Sequence, residues 1–97
     1  MIEFEWDPPK ARANLRKHRV AFSEAVTVFA DGLSITVYDP DLSQEEDRYL
    51  TVGVSANGRL LMIAHTDRGG RIRIISARDL TRTERDAYET EIDRRKG

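Results

Sequence analysis

Cysteine is absent from all 97 residues. A disulfide framework and a Cys-based zinc site are therefore excluded, and the absence fits a reducing compartment. Only two histidines are present, His18 and His65, and they lack metal-site spacing, so no metal is expected. No apolar run approaches the roughly 20 residues of a membrane span. The first residues, Met-Ile-Glu-Phe-Glu-Trp, have neither the basic nor the apolar region of a signal peptide. Phosphate-loop, Gly-x-Gly-x-x-Gly and Gly-x-Ser-x-Gly motifs are missing as well, so no cofactor is expected. These absences predict a cytoplasmic protein with no membrane partner, folded as a single domain over residues 1–97.

What is present is charge, unevenly spread. Charged residues make up 34% of the chain, yet the formal net charge is only −1. Lys10 to Arg19 holds five Lys/Arg and no acid, whereas Asp39 to Asp47 holds five acids and no base. Between Arg59 and Arg78 five arginines stand against one aspartate. Two basic segments and an acidic loop can create a local field that the net charge conceals. The acidic loop, which includes Glu45 and Glu46, lacks the spacing of an EF-hand and reads as solvated or as a contact for a basic partner.

The periodicity predicts the order β-α-α-β-β-β-β-α, an α+β fold with a mainly antiparallel sheet, N-terminal helices and a C-terminal helix. Ile2 to Trp6 alternates as a short strand. Asp7-Pro8-Pro9 opens a helix with Asp7 as its cap, running to Lys17 or His18, with Lys10, Asn14 and Lys17 as a polar stripe. Ser23 is the expected cap of a second helix ending near Phe29. Strands follow at Leu33–Tyr38, Tyr49–Val54, Leu60–Thr66 and Arg71–Ala77, with Asn57-Gly58 and Gly69-Gly70 as hairpin turns. Thr81-x-x-Glu84 matches a capping box before a charged helix whose apolar stripe is thin. Trp6 and Tyr88 read as packing residues or as stacking platforms for bases.

The last hairpin, Ala64 to Arg78, combines four arginines with His65 and Thr66. A two-residue turn sets Arg68 opposite Arg71 and Thr66 opposite Arg73. Strict alternation then gathers Met62, Ala64, Thr66, Arg68, Arg71, Arg73, Ile75 and Ala77 on one face. It sends Leu61, Ile63, His65, Asp67, Ile72, Ile74, Ser76 and Arg78 to the other. Arg73 and Arg78 interrupt runs that should be buried, and a guanidinium there can grip a carboxylate or a phosphate. The pattern leaves that choice open. His18 sits at a helix end, where the dipole favours a cation. His65 reads either as a hydrogen-bonded core residue or as a catalytic one.

The stretch "FEWDPPKARANLRKHRVAFSEAVTVFAD" resembles the N-terminal part of the BrnT toxins of type II toxin–antitoxin systems. The second half is similar in order and spacing: Glu46-x-Arg48-Tyr49, Gly53, Gly58-Arg59, "RIRIISAR" from Arg71 to Arg78, then Glu84 and Tyr88. One departure is Arg19, where a glycine or another small residue is common. The resemblance implies a RelE-like fold and a ribonuclease that cleaves RNA without metal and inhibits translation. It also implies neutralisation by a BrnA-like antitoxin carrying a ribbon-helix-helix element, with operator DNA bound only through the complex. On that basis Arg73 and Arg78 are expected at the phosphate, with Lys17 or His65 moving protons. Lys10, His18, Arg68 and Arg71 are expected to bind RNA. The rival is a non-catalytic module that binds nucleic acid or a partner.

Overall fold

The computed structural model describes residues 2–41 and 46–96; part of the acidic loop, Glu45 included, lies outside the described residues. Five strands form one sheet: β1 (Glu3–Glu5), β2 (Ile35–Tyr38), β3 (Arg48–Val54), β4 (Leu60–Arg68) and β5 (Arg71–Asp79). Three helices complete the chain: α1 (Pro8–His18), α2 (Phe22–Val28) and α3 (Arg82–Lys96). The strand order is β1-β5-β4-β3-β2. Its β2–β3, β3–β4 and β4–β5 pairings are antiparallel, as hairpin-length links require. The sheet is nevertheless mixed, because β1 pairs with β5 in parallel. Hairpin logic sees only sequence neighbours, and β1 finds its partner at the far end of the chain.

Helices α1 and α2 cover one face. Val20, Phe22, Ala25 and Val28 pack there on Leu61, Ile63, Ile74 and Ala77, forming the buried core. Each large aliphatic or aromatic member contributes about 1.5–3 kcal/mol by leaving water. Trp6 meets Phe22 edge-on at 6.0 Å, so it packs at the margin of this core.

Two expected caps do not form. Asp7 occupies the N-cap of α1 but makes no side-chain bond to it. Helix α2 starts one residue before Ser23, with Ala21 at its N-cap, so Ser23 is an exposed residue of the first turn. The third forms reciprocally. Glu84 N–H donates to Thr81 Oγ1 at 3.2 Å, and Thr81 N–H donates to Glu84 Oε1 at 2.9 Å.

Asn14 is no part of an exposed stripe; only 7% of its surface is accessible. Its Nδ2 donates to the carbonyls of Val20 and Ala77, both at 2.9 Å, and its Oδ1 accepts from Ala77 N–H at 3.1 Å. The double bond pattern with Ala77 is what a neighbouring strand would supply. Because β1 ends at Glu5, the amide takes the place of that strand and fastens α1 to the edge of β5.

Candidate nucleic-acid interface

The turn at Gly69-Gly70 closes the last hairpin with both φ angles positive, 57° and 84°, a conformation glycine adopts without steric cost. From that end the register pairs Arg68 with Arg71 and Thr66 with Arg73. It then shifts: His65 pairs with Ile74, but Ala64 pairs with Ser76. Ile75 is therefore a bulge residue, and the alternation of β5 inverts beyond it. Ala77 turns into the core, fully buried, while Ser76 and Arg78 turn to the opposite face beside Ala64 and Met62. Strict alternation assigned these residues the other way round. The bulge corrects it, and the correction puts Arg73 and Arg78 on one face.

That face is the one α1 and α2 leave uncovered. Pairing extends it through Arg48, Leu50 and Val52 of β3 and through Glu3 and Glu5 of β1. Successive residues on one face lie about 6.8 Å apart, so Arg71, Arg73 and Arg78 make a strip along the sheet. At its upper end Arg73 Nη1 lies 2.7 Å from Glu5 Oε2, both side chains 27% exposed. Arg71 pairs with Glu3 at 3.1 Å, and Arg68 with Glu46 at 3.0 Å. The hydrogen bond from Arg68 holds the Glu46 carboxyl below its usual range, and the charges of Arg68, Arg48 and Arg73 add to this. Arg68, Arg71 and Arg73 thus each hold a carboxylate across the strip, with Arg48 beside them on β3. Thr66 lies fully buried between Arg48 and Arg73, and its hydroxyl has no hydrogen-bond partner among the described residues.

Further along, Arg78 binds Glu84 of α3 with two parallel bonds, 2.8 and 2.9 Å. Those bonds, with Thr81 N–H, pull the Glu84 carboxyl down to about 2 and raise the Arg78 guanidinium. Helix α3 rests over this end of the strip, Ala87 and Tyr88 facing Ile35, Val52 and Met62 across a space of about 240 Å³. A second cavity of about 250 Å³ opens beside Arg78.

The other expected site residues lie elsewhere. Lys10 and Lys17 are exposed on α1 and His18 is half-buried at its end. No hydrogen bond or ion pair among the described residues ties any of them to the strip. His65 faces the helix-covered side, 5% exposed. Its Nε2 is 2.7 Å from Thr51 Oγ1, and its ring packs on Phe29 and Tyr49. Burial pushes its pKa below the ordinary value, with Asp67 partly offsetting this. The imidazole is enclosed among core side chains on the sheet face opposite the strip. Glu5 and Thr66 were not anticipated as site residues. The alternation Glu3-Phe4-Glu5 put both glutamates on one face, but only the parallel β1–β5 pairing delivers them to Arg71 and Arg73.

A guanidinium of this strip can exchange its carboxylate for another oxyanion. The family model "Ribonuclease toxin, BrnT, of type II toxin-antitoxin system" matches residues 6–84. The fold is similar to the crystal structure of the Brucella abortus ribonuclease toxin BrnT, with a TM-score of 0.62 and 19% identity. That match covers 84% of this chain and 100% of that one. No curated protein sequence matches.

Proposed function

Because the chain belongs to the BrnT family of ribonuclease toxins of type II toxin–antitoxin systems, we propose that its arginine strip is the RNA-cleaving site. In this reading the protein is a RelE-like endoribonuclease of the cytoplasm that inhibits translation and needs no metal. The observation that carries it is the bulge at Ile75, which aligns Arg73 and Arg78 on the sheet face that α1 and α2 leave uncovered.

The chemistry follows from the pairs. Cleavage through the 2′-hydroxyl needs a base for that proton and cations where charge grows on phosphorus. A backbone phosphate arriving at Arg73 replaces the Glu5 carboxylate as its partner, since guanidinium binds either oxyanion in the same forked manner. Glu5, displaced from Arg73, is the carboxylate beside the phosphate and accepts the 2′-hydroxyl proton. The 2′-oxygen then bonds to phosphorus as the bond to the 5′-oxygen breaks. That oxygen takes a proton from water, leaving a cyclic phosphate and a 5′-hydroxyl. Arg68 and Arg71 hold neighbouring phosphates, while Arg78 positions the nucleotide. Lys10, Lys17 and His18 lie on α1 and have no part in the bond-breaking step.

Type II toxins are paired with an antitoxin, and a BrnA-like partner with a ribbon-helix-helix element would bind operator DNA for the complex. The test is incubation of the purified protein with RNA in EDTA, followed by analysis of the new termini. Cyclic-phosphate and 5′-hydroxyl ends are expected, and Arg73→Ala should reduce the rate by roughly 100- to 1,000-fold. RNA that is bound but intact, with and without ribosomes, would overturn the catalytic reading in favour of a non-catalytic module.

A further inference from the structure

Thr66 stands at the centre of the arginine strip. The register places Arg73 on one side of it and Arg48 on the other, with Arg68 two residues along its own strand on the same face. Its side chain is fully buried, and its Oγ1 has no hydrogen-bond partner among the described residues. A buried hydroxyl left so is unfavourable, and valine has nearly the same shape without that cost. Thr51 makes the contrast on the opposite face. It is as deeply buried, but its Oγ1 bonds Thr36 Oγ1 and His65 Nε2, both at 2.7 Å.

A carboxylate is already held in this neighbourhood as an oxyanion ligand would be. Glu46 gives both oxygens to Arg68, Oε2 at 3.3 Å from Nε and Oε1 at 3.0 Å from Nη2. The charges of Arg48 and Arg73 act on the same carboxylate. A group within reach of all three arginines stands over Thr66, the residue they surround. The carboxylate is planar, and both its oxygens are spent on the Arg68 fork. A phosphate is tetrahedral: with two oxygens on the fork, the others stand out of that plane, where a donor below can reach them. The Arg68–Glu46 pair is 50% and 38% exposed, so it exchanges at small cost.

We propose that Thr66 Oγ1 is the buried donor of a phosphate site whose place Glu46 holds in the free protein. A backbone phosphate that displaces Glu46 keeps the Arg68 fork and receives a hydrogen bond from Thr66. The hydroxyl is neutral and fixed by the sheet, so no counter-ion has to leave it and little freedom is lost on binding. The assignment rests on the strip being an RNA site, and it adds a residue to binding rather than to the bond-breaking step.

The experiment uses the full chain with Thr66→Val and Thr66→Ser. It reads thermal unfolding and the affinity for an uncleavable 2′-O-methyl RNA and for inorganic phosphate. Thr66→Val should keep or raise Tm, yet bind RNA and phosphate roughly tenfold more weakly. Thr66→Ser retains the donor and should stay within about threefold of the parent. Acetate, planar like the Glu46 carboxylate, should not distinguish the parent from Thr66→Val. Glu46→Gln should tighten RNA binding several-fold, beyond the effect of Glu89→Gln, which removes the same charge from an exposed position of α3. The assignment is overturned by a Thr66→Val protein that binds RNA like the parent or, where RNA does not bind, phosphate like the parent. A lower Tm for Thr66→Val, equal weakening by serine, or no gain of Glu46→Gln over Glu89→Gln overturns it as well. Phosphate binding that depends on Thr66, with no binding of RNA, would instead sink the RNA reading and leave the site standing.

Discussion

Replacing Asn14 by alanine should do more damage than any surface charge change, and the structure sets the scale. The side chain makes three buried hydrogen bonds, to Val20 O, Ala77 O and Ala77 N. Alanine leaves all three backbone groups beneath α1, at a position only 7% exposed. Each stranded group costs about 1–3 kcal/mol, so the loss is at least about 3 kcal/mol. For a chain of this size that lowers Tm by roughly 12 °C or more, readable by thermal and urea unfolding. Asn14→Asp separates hydrogen bonding from shape. The carboxylate keeps the Ala77 N–H bond but faces two carbonyl oxygens, which raises its folded pKa above the unfolded value near 3.9. Its stability is then fullest below about pH 4 and falls as pH rises through the folded pKa. A loss under about 1 kcal/mol for Asn14→Ala, or an aspartate variant that gains stability between pH 4 and 7 relative to the parent, would refute the strand-substitute role.

Other perturbations have equally definite signs. Arg19 caps α1 at φ 59° and ψ 30°, a left-handed conformation that costs a side-chain-bearing residue about 1–2 kcal/mol. Arg19→Gly should therefore raise Tm by several degrees once the entropy of glycine in the unfolded chain is deducted; an unchanged or lower Tm counts against it. A methyl group at Gly53 would sit 3.0 Å from Asp31 Oδ2 and from Ser34 Cβ, and 3.1 Å from Val28 Cγ1. Gly53→Ala should accordingly cost about 1–3 kcal/mol in urea unfolding. The Arg78 hydrogen bond, first among several causes, lowers Glu84 to about 2. Its stabilisation is thus complete above the unfolded value near 4.5 and disappears as pH falls toward 2. Carboxyl NMR should find that low midpoint, and Glu84→Gln should flatten acid unfolding over the same window.

Much of the element order was legible because hydrophobic periodicity and turn chemistry are local. The Gly69-Gly70 turn and the Thr81–Glu84 box form as read. The site was less legible, for a specific reason. Facing is a cumulative property of a strand, and one extra residue inverts everything after it. Nothing in "RIRIISAR" marks Ile75 as that residue; the bulge emerges only from the pairing of two strands, with Asn14 fastened to Ala77 beyond it. The parallel pairing of β1 was hidden for a related reason, since contacts between chain ends leave no short-range trace. Glu5 thus passed as one beat of an alternating strand. Asn14 passed as a polar face residue because its true partner is backbone, which has no sequence signature.

The same geometry explains how a chain of net charge −1 can present the surface proposed to bind RNA. Every arginine of the last hairpin has a carboxylate partner, but the pairs differ in exposure. Arg68 and Arg71 are 50% and 57% exposed, whereas Arg73 and Arg78 are 27% and 35% exposed. Exposed pairs contribute little to stability, so their carboxylates yield to phosphate at small cost. Half-hidden pairs hold their guanidiniums in one orientation before any ligand arrives, which is what selective or chemical contacts require. The outer arginines therefore suit capture of the chain, and the inner two suit positioning. Their carboxylates cancel the charge at long range and occupy donors that an incoming oxyanion can take over by displacement.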